Sequence, residues 1–218
     1  MTTHVFVTGT DTEVGKTRIS VGLIKVLQQK GLRVAAMKPV ASGCEWQDGQ
    51  LQNEDALALS QQADVKLPYS QINPYAFEPA IAPHLAAEQI GQSISLDVIE
   101  TNFAAMKLQA DAIVVEGAGG WLVPLNDQQT IADLAKALQI PVVLVVAIKL
   151  GCINHALLTV QAIAASGLKL EGWVANDFLQ DPQSTAIIQS LTKRIAAPCM
   201  GIVPKLAADE DASFYLKL

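Results

Sequence analysis

The sequence predicts an α/β fold: a doubly wound, mostly parallel sheet with helices on both faces, residues 1–218 forming a single domain. Three observations lead there. Apolar runs of strand length alternate with longer stretches of helical period. The runs are apolar throughout rather than alternating, as parallel strands covered on both faces must be. The residues just beyond them are rich in glycine and polar side chains, at the carboxyl edge where such a sheet binds ligands.

Taken in order, His4 to Thr8 (HVFVT) is expected as the first strand. Lys16 to Lys30 follows as a helix, with Ile19, Leu23, Val26 and Leu27 at helical spacing and Gly31 as its stop. Arg33–Met37 is a strand, Glu54–Gln62 and Ile94–Gln109 are helices, and Ala112–Val115 is a strand. Ile131–Leu138 is a helix, Val142–Ala147 a strand, His155–Ala165 a helix and Gly172–Ala175 a strand. Ser184–Arg194 closes the series as a helix, with Gly201–Val203 a short strand. Between Pro68 and Pro83 four prolines (68, 74, 79 and 83) and the lack of a period predict a long ordered loop over the sheet.

Composition narrows the function. Half of the residues are hydrophobic, 17% are charged, and the net charge is −6. That balance fits a packed globule and disfavours nucleic acid as a partner. The longest apolar run, Ile140–Ile148, contains Pro141 and falls short of the roughly 20 residues a membrane span needs. Met1-Thr2-Thr3-His4-Val5 lacks the basic and apolar regions of a signal peptide. Cys44, Cys152 and Cys199 are odd in number and widely spaced, which fits a reducing cytoplasm.

The chemistry sits at the strand ends. Gly9-Thr10-Asp11-Thr12-Glu13-Val14-Gly15-Lys16-Thr17 joins a strand to a helix. Helix-start N–H groups bind phosphate, and glycine lets the backbone approach it. Lys16 can reach the terminal phosphates and Thr17 can ligate Mg²⁺. The loop is one residue longer than the general pattern G-x-x-x-x-G-K-[ST]. Glu116, at the end of an apolar strand and before Gly117, Ala118, Gly119 and Gly120, suits the second metal-binding acid, although a solvated Glu in a simple turn is also compatible. Lys38, stiffened by Pro39, can stabilise developing negative charge, or be a surface lysine. On position alone Asp55 reads as a helix-capping acid and Asn154 as the cap of the helix after Gly151 and Cys152. His155 reads as packed or capping, and Cys152 as a small apolar filler. Asn176 offers the paired donor and acceptor that adenine needs.

These segments together resemble the dethiobiotin synthetase family. The matching stretches are FVTGTDTEVGKT (6–17), MKPVASG (37–43), NEDALAL (53–59), VVEGAGGWLVPL (114–125), IKLGCINHA (148–156) and GWVANDF (172–178), in the expected order. The long loop is itself part of the resemblance. The resemblance implies ATP-dependent closure of a ureido ring on 7,8-diaminopelargonic acid with CO₂, releasing ADP and phosphate. It implies catalytic roles for Lys38, Lys16, Thr12 and Glu13, and Mg²⁺ held by Thr17, Asp55 and Glu116. ATP would contact Glu13, Val14, Gly15, Lys16, Thr17, Arg18, Asp55, Glu116, Gly117, Ala118 and Gly119. Its base would meet Asn176, Asp177, Pro204, Lys205 and Leu206. The diamine would meet Lys38, Ser42 and Gly119, with Gly151, Cys152 and Asn154 at its carboxylate end, contributed by the second subunit of a homodimer. The match thins over 178–200. Two other readings share the loop. A cobyrinic-acid amidotransferase needs a glutaminase domain for which there is no room. A partition or division-site switch ATPase carries an extra lysine where Asp11 stands.

Overall fold

The computed structural model describes residues 4–208 and 210–217; the expectation for Met1 to Thr3 lies outside them. β1 (His4–Gly9) leads into α1 (Lys16–Gln29) and β2 (Val34–Met37). An excursion follows through β3 (Val40–Ser42), β4 (Glu45–Gln47), β5 (Gln50–Gln52), α2 (Glu54–Gln62), α3 (Tyr69–Ile72), β6 (Tyr75–Phe77) and α4 (Pro83–Gln89). The chain returns through α5 (Leu96–Lys107), β7 (Ala112–Gly120), α6 (Ile131–Leu138), β8 (Val142–Ala147), α7 (Cys152–Ala165), β9 (Leu170–Asp177), α8 (Ser184–Thr192) and β10 (Cys199–Pro204). It ends on a 3-10 helix, Ala212–Tyr215.

The main sheet has six strands in the order β10-β9-β8-β1-β7-β2, paired in parallel. Successive residues feed opposite layers, which is why the strands are apolar throughout. Val5, Val7 and Val114 pack with Ile19 and Leu23 of α1. Phe6, Ile113 and Val115 pack on the other face with Trp121, Ile131 and Phe103. Register then places the functional strand ends. Met37 stands opposite Val115, so the residues that follow them, Lys38 and Glu116, emerge side by side. Ala147 stands opposite Asn176 on the other flank. Among the described residues no helix is long and apolar enough to cross a membrane.

Several boundaries differ from expectation. The Pro68–Pro83 stretch is not a loop: it holds α3, β6 and the first residue of α4. Two of its four prolines sit where helices begin, Pro68 capping α3 and Pro83 opening α4, where a missing N–H costs nothing. Among the described residues β6 pairs with β3 alone, and three residues are too short to show a period. β7 runs on through the expected glycine turn, because Gly120 still pairs with Gly9. α7 starts at Cys152, with Gly151 (φ 89°) as its cap. Asn154 is therefore an exposed first-turn residue rather than the cap, and His155 is exposed, neither packed nor capping. β9 and β10 are each longer than expected.

The C-terminal 3-10 helix docks on α1. Gly22 leaves the space for it: a Cβ there would lie 2.9 Å from Leu216 and 3.0 Å from Ala212. Asp211 accepts from Lys25 Nζ (2.8 Å) and from the Ser213 N–H (2.8 Å). Burial pushes the Asp211 carboxyl up, but the bonds from Lys25 and Ser213 outweigh it and hold the group below its ordinary range. A depressed carboxyl contributes stability above its unfolded-state pKa and loses it as pH falls through the folded-state pKa. Asp211→Asn is therefore expected to cost about 1 kcal/mol at pH 7. In denaturant melts that difference should vanish at a pH below the ordinary carboxylate range; an undiminished difference there contradicts the ion-pair account.

Candidate active site

The loop between β1 and α1 is shaped by close approach. A Cβ on Gly9 would meet the Asp11 carbonyl at 2.9 Å. Gly15 has φ 85°, and a Cβ there would strike the Asn176 amide. Glu13 also takes a left-handed conformation, φ 58°. Asn176, from the end of β9, donates through Nδ2 to the Val14 carbonyl at 2.9 Å, tying the loop to the sheet. No side chain caps α1, so its first-turn N–H groups are open to an anion. Lys16 is buried and its Nζ donates to the Asp11 carbonyl at 3.2 Å. Burial, and then the charge of Lys38, lower Lys16 to about 8 against the pull of Glu116, Asp55 and Asp11.

Lys38 is 4% exposed, which excludes the surface-lysine reading. Its Nζ donates to Glu116 Oε1 (2.6 Å), Asp55 Oδ2 (3.2 Å) and the Gly117 carbonyl (3.4 Å). The Thr17 hydroxyl donates to the same Glu116 Oε1 at 2.9 Å. Glu116 is fully buried, and its Oε2 has no hydrogen-bond partner. Burial opposes the charge on Lys38, but Glu116 and Asp55 more than restore it and raise its pKa. Burial likewise pushes Asp55 up, while Lys38, the Thr17 hydroxyl and Lys16 hold it below the ordinary range. Asp55 is free for this role because Asn53 caps α2, accepting from the Asp55 and Ala56 N–H groups at 3.1 and 3.3 Å. Asn73 steadies the lysine from behind, its Nδ2 donating to the Lys38 carbonyl at 2.7 Å.

Two cavities meet at the loop. A cleft of about 730 Å³ is lined by Thr12, Glu13, Gly15, Lys16, Thr17, Lys38, Ser42, Asp55, Ala118 and Gly119. A smaller, more apolar slot of about 340 Å³ is lined by Arg18, Asn176, Phe178, Val203, Pro204, Lys205 and Leu206. Glu13 and Gly15 border both. The Ser42 hydroxyl is buried without a partner.

Some expected site residues lie apart. Asp177 is outside the slot lining and accepts from the Ser184 hydroxyl at 2.6 Å. Gly117 is outside the cleft lining too, and serves through its carbonyl on Lys38. Gly151, Cys152 and Asn154 stand at the head of α7, away from the cleft of their own chain. Cys152 is buried, as a filler should be. Sequence reasoning missed Ala80, Ile81, Ala82 and Pro83, which form one wall of the cleft, and also Val123 and Phe178. The proline spacing in 68–83 was the available signal for that wall.

Against solved structures, the chain superposes on the MinC:MinD cell division complex of Aquifex aeolicus (TM-score 0.59, 12% identity, covering 93% of this chain and 81% of that one). It superposes as well on the septum site-determining protein MinD of Pyrococcus horikoshii OT3 in complex with Mg-ADP (TM-score 0.58, 15% identity, 94% and 82%). At such identity the likeness shows the fold alone, a P-loop-type α/β sheet. A family model described as an AAA domain matches residues 3–212. Among curated proteins, an ATP-dependent dethiobiotin synthetase of Cellvibrio japonicus is 50% identical over 216 residues, covering 98% of this chain and 95% of that protein. Namesakes from Pseudomonas aeruginosa and Yersinia pestis are 52% and 47% identical, covering 92% and 97% of this chain and 89% and 88% of their own lengths. With half of its residues shared along nearly the whole of both chains, the chain belongs to the dethiobiotin synthetase family.

Proposed function

We propose that the protein is an ATP-dependent ligase that closes the ureido ring of dethiobiotin from 7,8-diaminopelargonic acid and CO₂. The observation that carries this reading is the set Lys16, Lys38 and Asp55 lining a cleft large enough for a second substrate beside the phosphate loop, with the buried Glu116 bonded to Lys38 behind them. A switch ATPase needs the loop and the acid, but not a buried lysine at the head of such a cleft.

The base of ATP sits in the apolar slot, and its phosphates follow the N–H groups of Gly15 to Thr17. One amine of the diamine adds to CO₂, losing a proton to give a carbamate. A carbamate oxygen attacks the γ-phosphorus, and ADP leaves with the former bridging oxygen. The second amine then attacks the carbamoyl carbon of the mixed anhydride and gives up a proton, phosphate departs with the carbon–oxygen bond broken, and the ring closes. Lys16 and Lys38 neutralise the charge that gathers on the transferred phosphoryl group, the main electrostatic task in such transfers. Thr12 and Glu13 form the rim between base and reacting centre, and Ser42, whose buried hydroxyl lacks a partner, orients the diamine.

Mg²⁺ fits Thr17, Asp55 and Glu116. The unpartnered Oε2 of Glu116 is a buried acceptor awaiting a cation or donor. Among the described residues there is no group of three or more His, Cys, Asp or Glu able to hold a metal alone. That matches an ion that keeps waters and shares phosphate oxygens rather than occupying an all-protein cage. When bound, it supplies charge neutralisation at the β- and γ-phosphates.

The active form we propose is a cytoplasmic homodimer, with Gly151, Cys152 and Asn154 of one subunit meeting the carboxylate of the diamine held by the other. Leu150 next to that segment is 93% exposed, and Leu122 and Leu158 are exposed as well, an arrangement that a partner subunit would cover. Light scattering should give twice the mass of one chain, and Leu150→Asp should shift the mass toward the monomer with loss of turnover. A monomer of full activity contradicts the shared site.

Lys38→Ala is expected to lower dethiobiotin formation, followed by mass, by about a hundredfold or more. Nucleotide affinity should change far less, since the phosphates keep Lys16 and the loop. Equal loss of both counts against the role given to Lys38.

A further inference from the structure

Arg18 follows Thr17 in the first turn of α1 and borders the apolar slot. Its guanidinium does not turn to the phosphate side. It donates through Nη1 to the Ala208 carbonyl at 3.0 Å and through Nη2 to the Ala207 carbonyl. A planar fork across two successive carbonyls is a geometry that arginine supplies and lysine does not. The segment it grips is the continuation of the slot wall Pro204–Leu206, beyond the end of β10. β10 is an edge strand of the main sheet, and the segment continues past its end.

The far side of the same turn is tied independently. Glu210 accepts from the Ala207 N–H at 3.2 Å and from the Tyr215 hydroxyl at 2.9 Å, and its own N–H donates to the Ala207 carbonyl at 3.2 Å. Two turns along α1 from Arg18, Lys25 holds Asp211. One helix thus carries both the lysine of the phosphate loop and the arginine that fixes the wall of the base slot.

We propose that Arg18 is a positioning residue for nucleobase recognition: it acts through the 205–208 loop and fixes that loop at a set distance from the phosphate site. The inference rests on the reading that the base of ATP occupies this slot. Its consequence is selective. Loosening the loop weakens ligands that carry a base and spares those that carry phosphates alone.

The test compares Mg-ATP with Mg-tripolyphosphate by calorimetric titration of the full chain. The unaltered protein should prefer ATP. Arg18→Ala should cut ATP affinity by about tenfold, the effect of losing charge-assisted bonds at a half-open site. Tripolyphosphate affinity should change less than about twofold over the same substitution. Arg18→Lys, which keeps one donor, should recover part of the preference, and Glu210→Gln, weakening the turn from its other side, should erode it in the same direction. Thermal melts of each variant exclude unfolding as the cause. An ATP preference that survives Arg18→Ala overturns this inference alone, as does an equal fall for both ligands, which would place Arg18 on the phosphates. An unaltered protein that binds both ligands alike overturns the base-slot reading, and this inference with it.

Discussion

Glu116 is wholly buried midway along β7, an interior strand, and the one cation within hydrogen-bond reach of its carboxylate among the described residues is the Lys38 ammonium, 2.6 Å away and itself buried. A buried charge stripped of its partner typically costs about 3–5 kcal/mol, so neither member can be lost cheaply to a neutral residue. The pair also organises its surroundings. Thr17 donates to the same carboxylate oxygen, Asp55 approaches the same ammonium, and the second carboxylate oxygen is buried without a hydrogen-bond partner. Stability and chemistry are therefore drawn from one contact, and the pairing register of β2 with β7 makes that contact.

Around this pair the sheet divides its work by strand. β1 delivers the phosphate loop, β2 and β7 the lysine and the acid, and β9 an asparagine that locks the loop through the Val14 carbonyl. The long excursion between β2 and β7 is what separates this chain's site from a bare phosphate loop. It brings Ser42, Asn53 with Asp55, and the Ala80–Pro83 wall over the cleft. The two MinD-containing structures share this chain's sheet, and the likeness shows the fold alone.

The parts legible in the sequence were those in which local signals agree. β1, α2 and α6 fell within a residue of expectation because apolar period and termini coincide there. Lys16 and Thr17 were legible because the glycine loop fixes their surroundings locally. Lys38 was named as a candidate, but its burial was not legible, since that depends on Met37 standing opposite Val115, a pairing between residues far apart in sequence. The weighting of Asp55 as a cap failed for a local reason, since Asn53 two residues earlier takes the N–H groups of Asp55 and Ala56. The hydrogen bonds of Arg18, a residue that does line the slot, reach Ala207 and Ala208 across nearly the whole chain, a link no local signal carries. Short elements such as β6 escaped notice because three residues define no period.

The most direct test is a stoichiometric one, with the purified chain given MgATP and bicarbonate, with and without 7,8-diaminopelargonic acid. ADP release and dethiobiotin are followed together, the latter by mass. If the buried Lys38–Glu116 pair serves phosphoryl transfer to a carbamate, ADP and dethiobiotin appear in equal amounts and only when the diamine is present. Turnover of ATP without the diamine, and without dethiobiotin, would contradict the ligase and leave a nucleotide switch on the same fold.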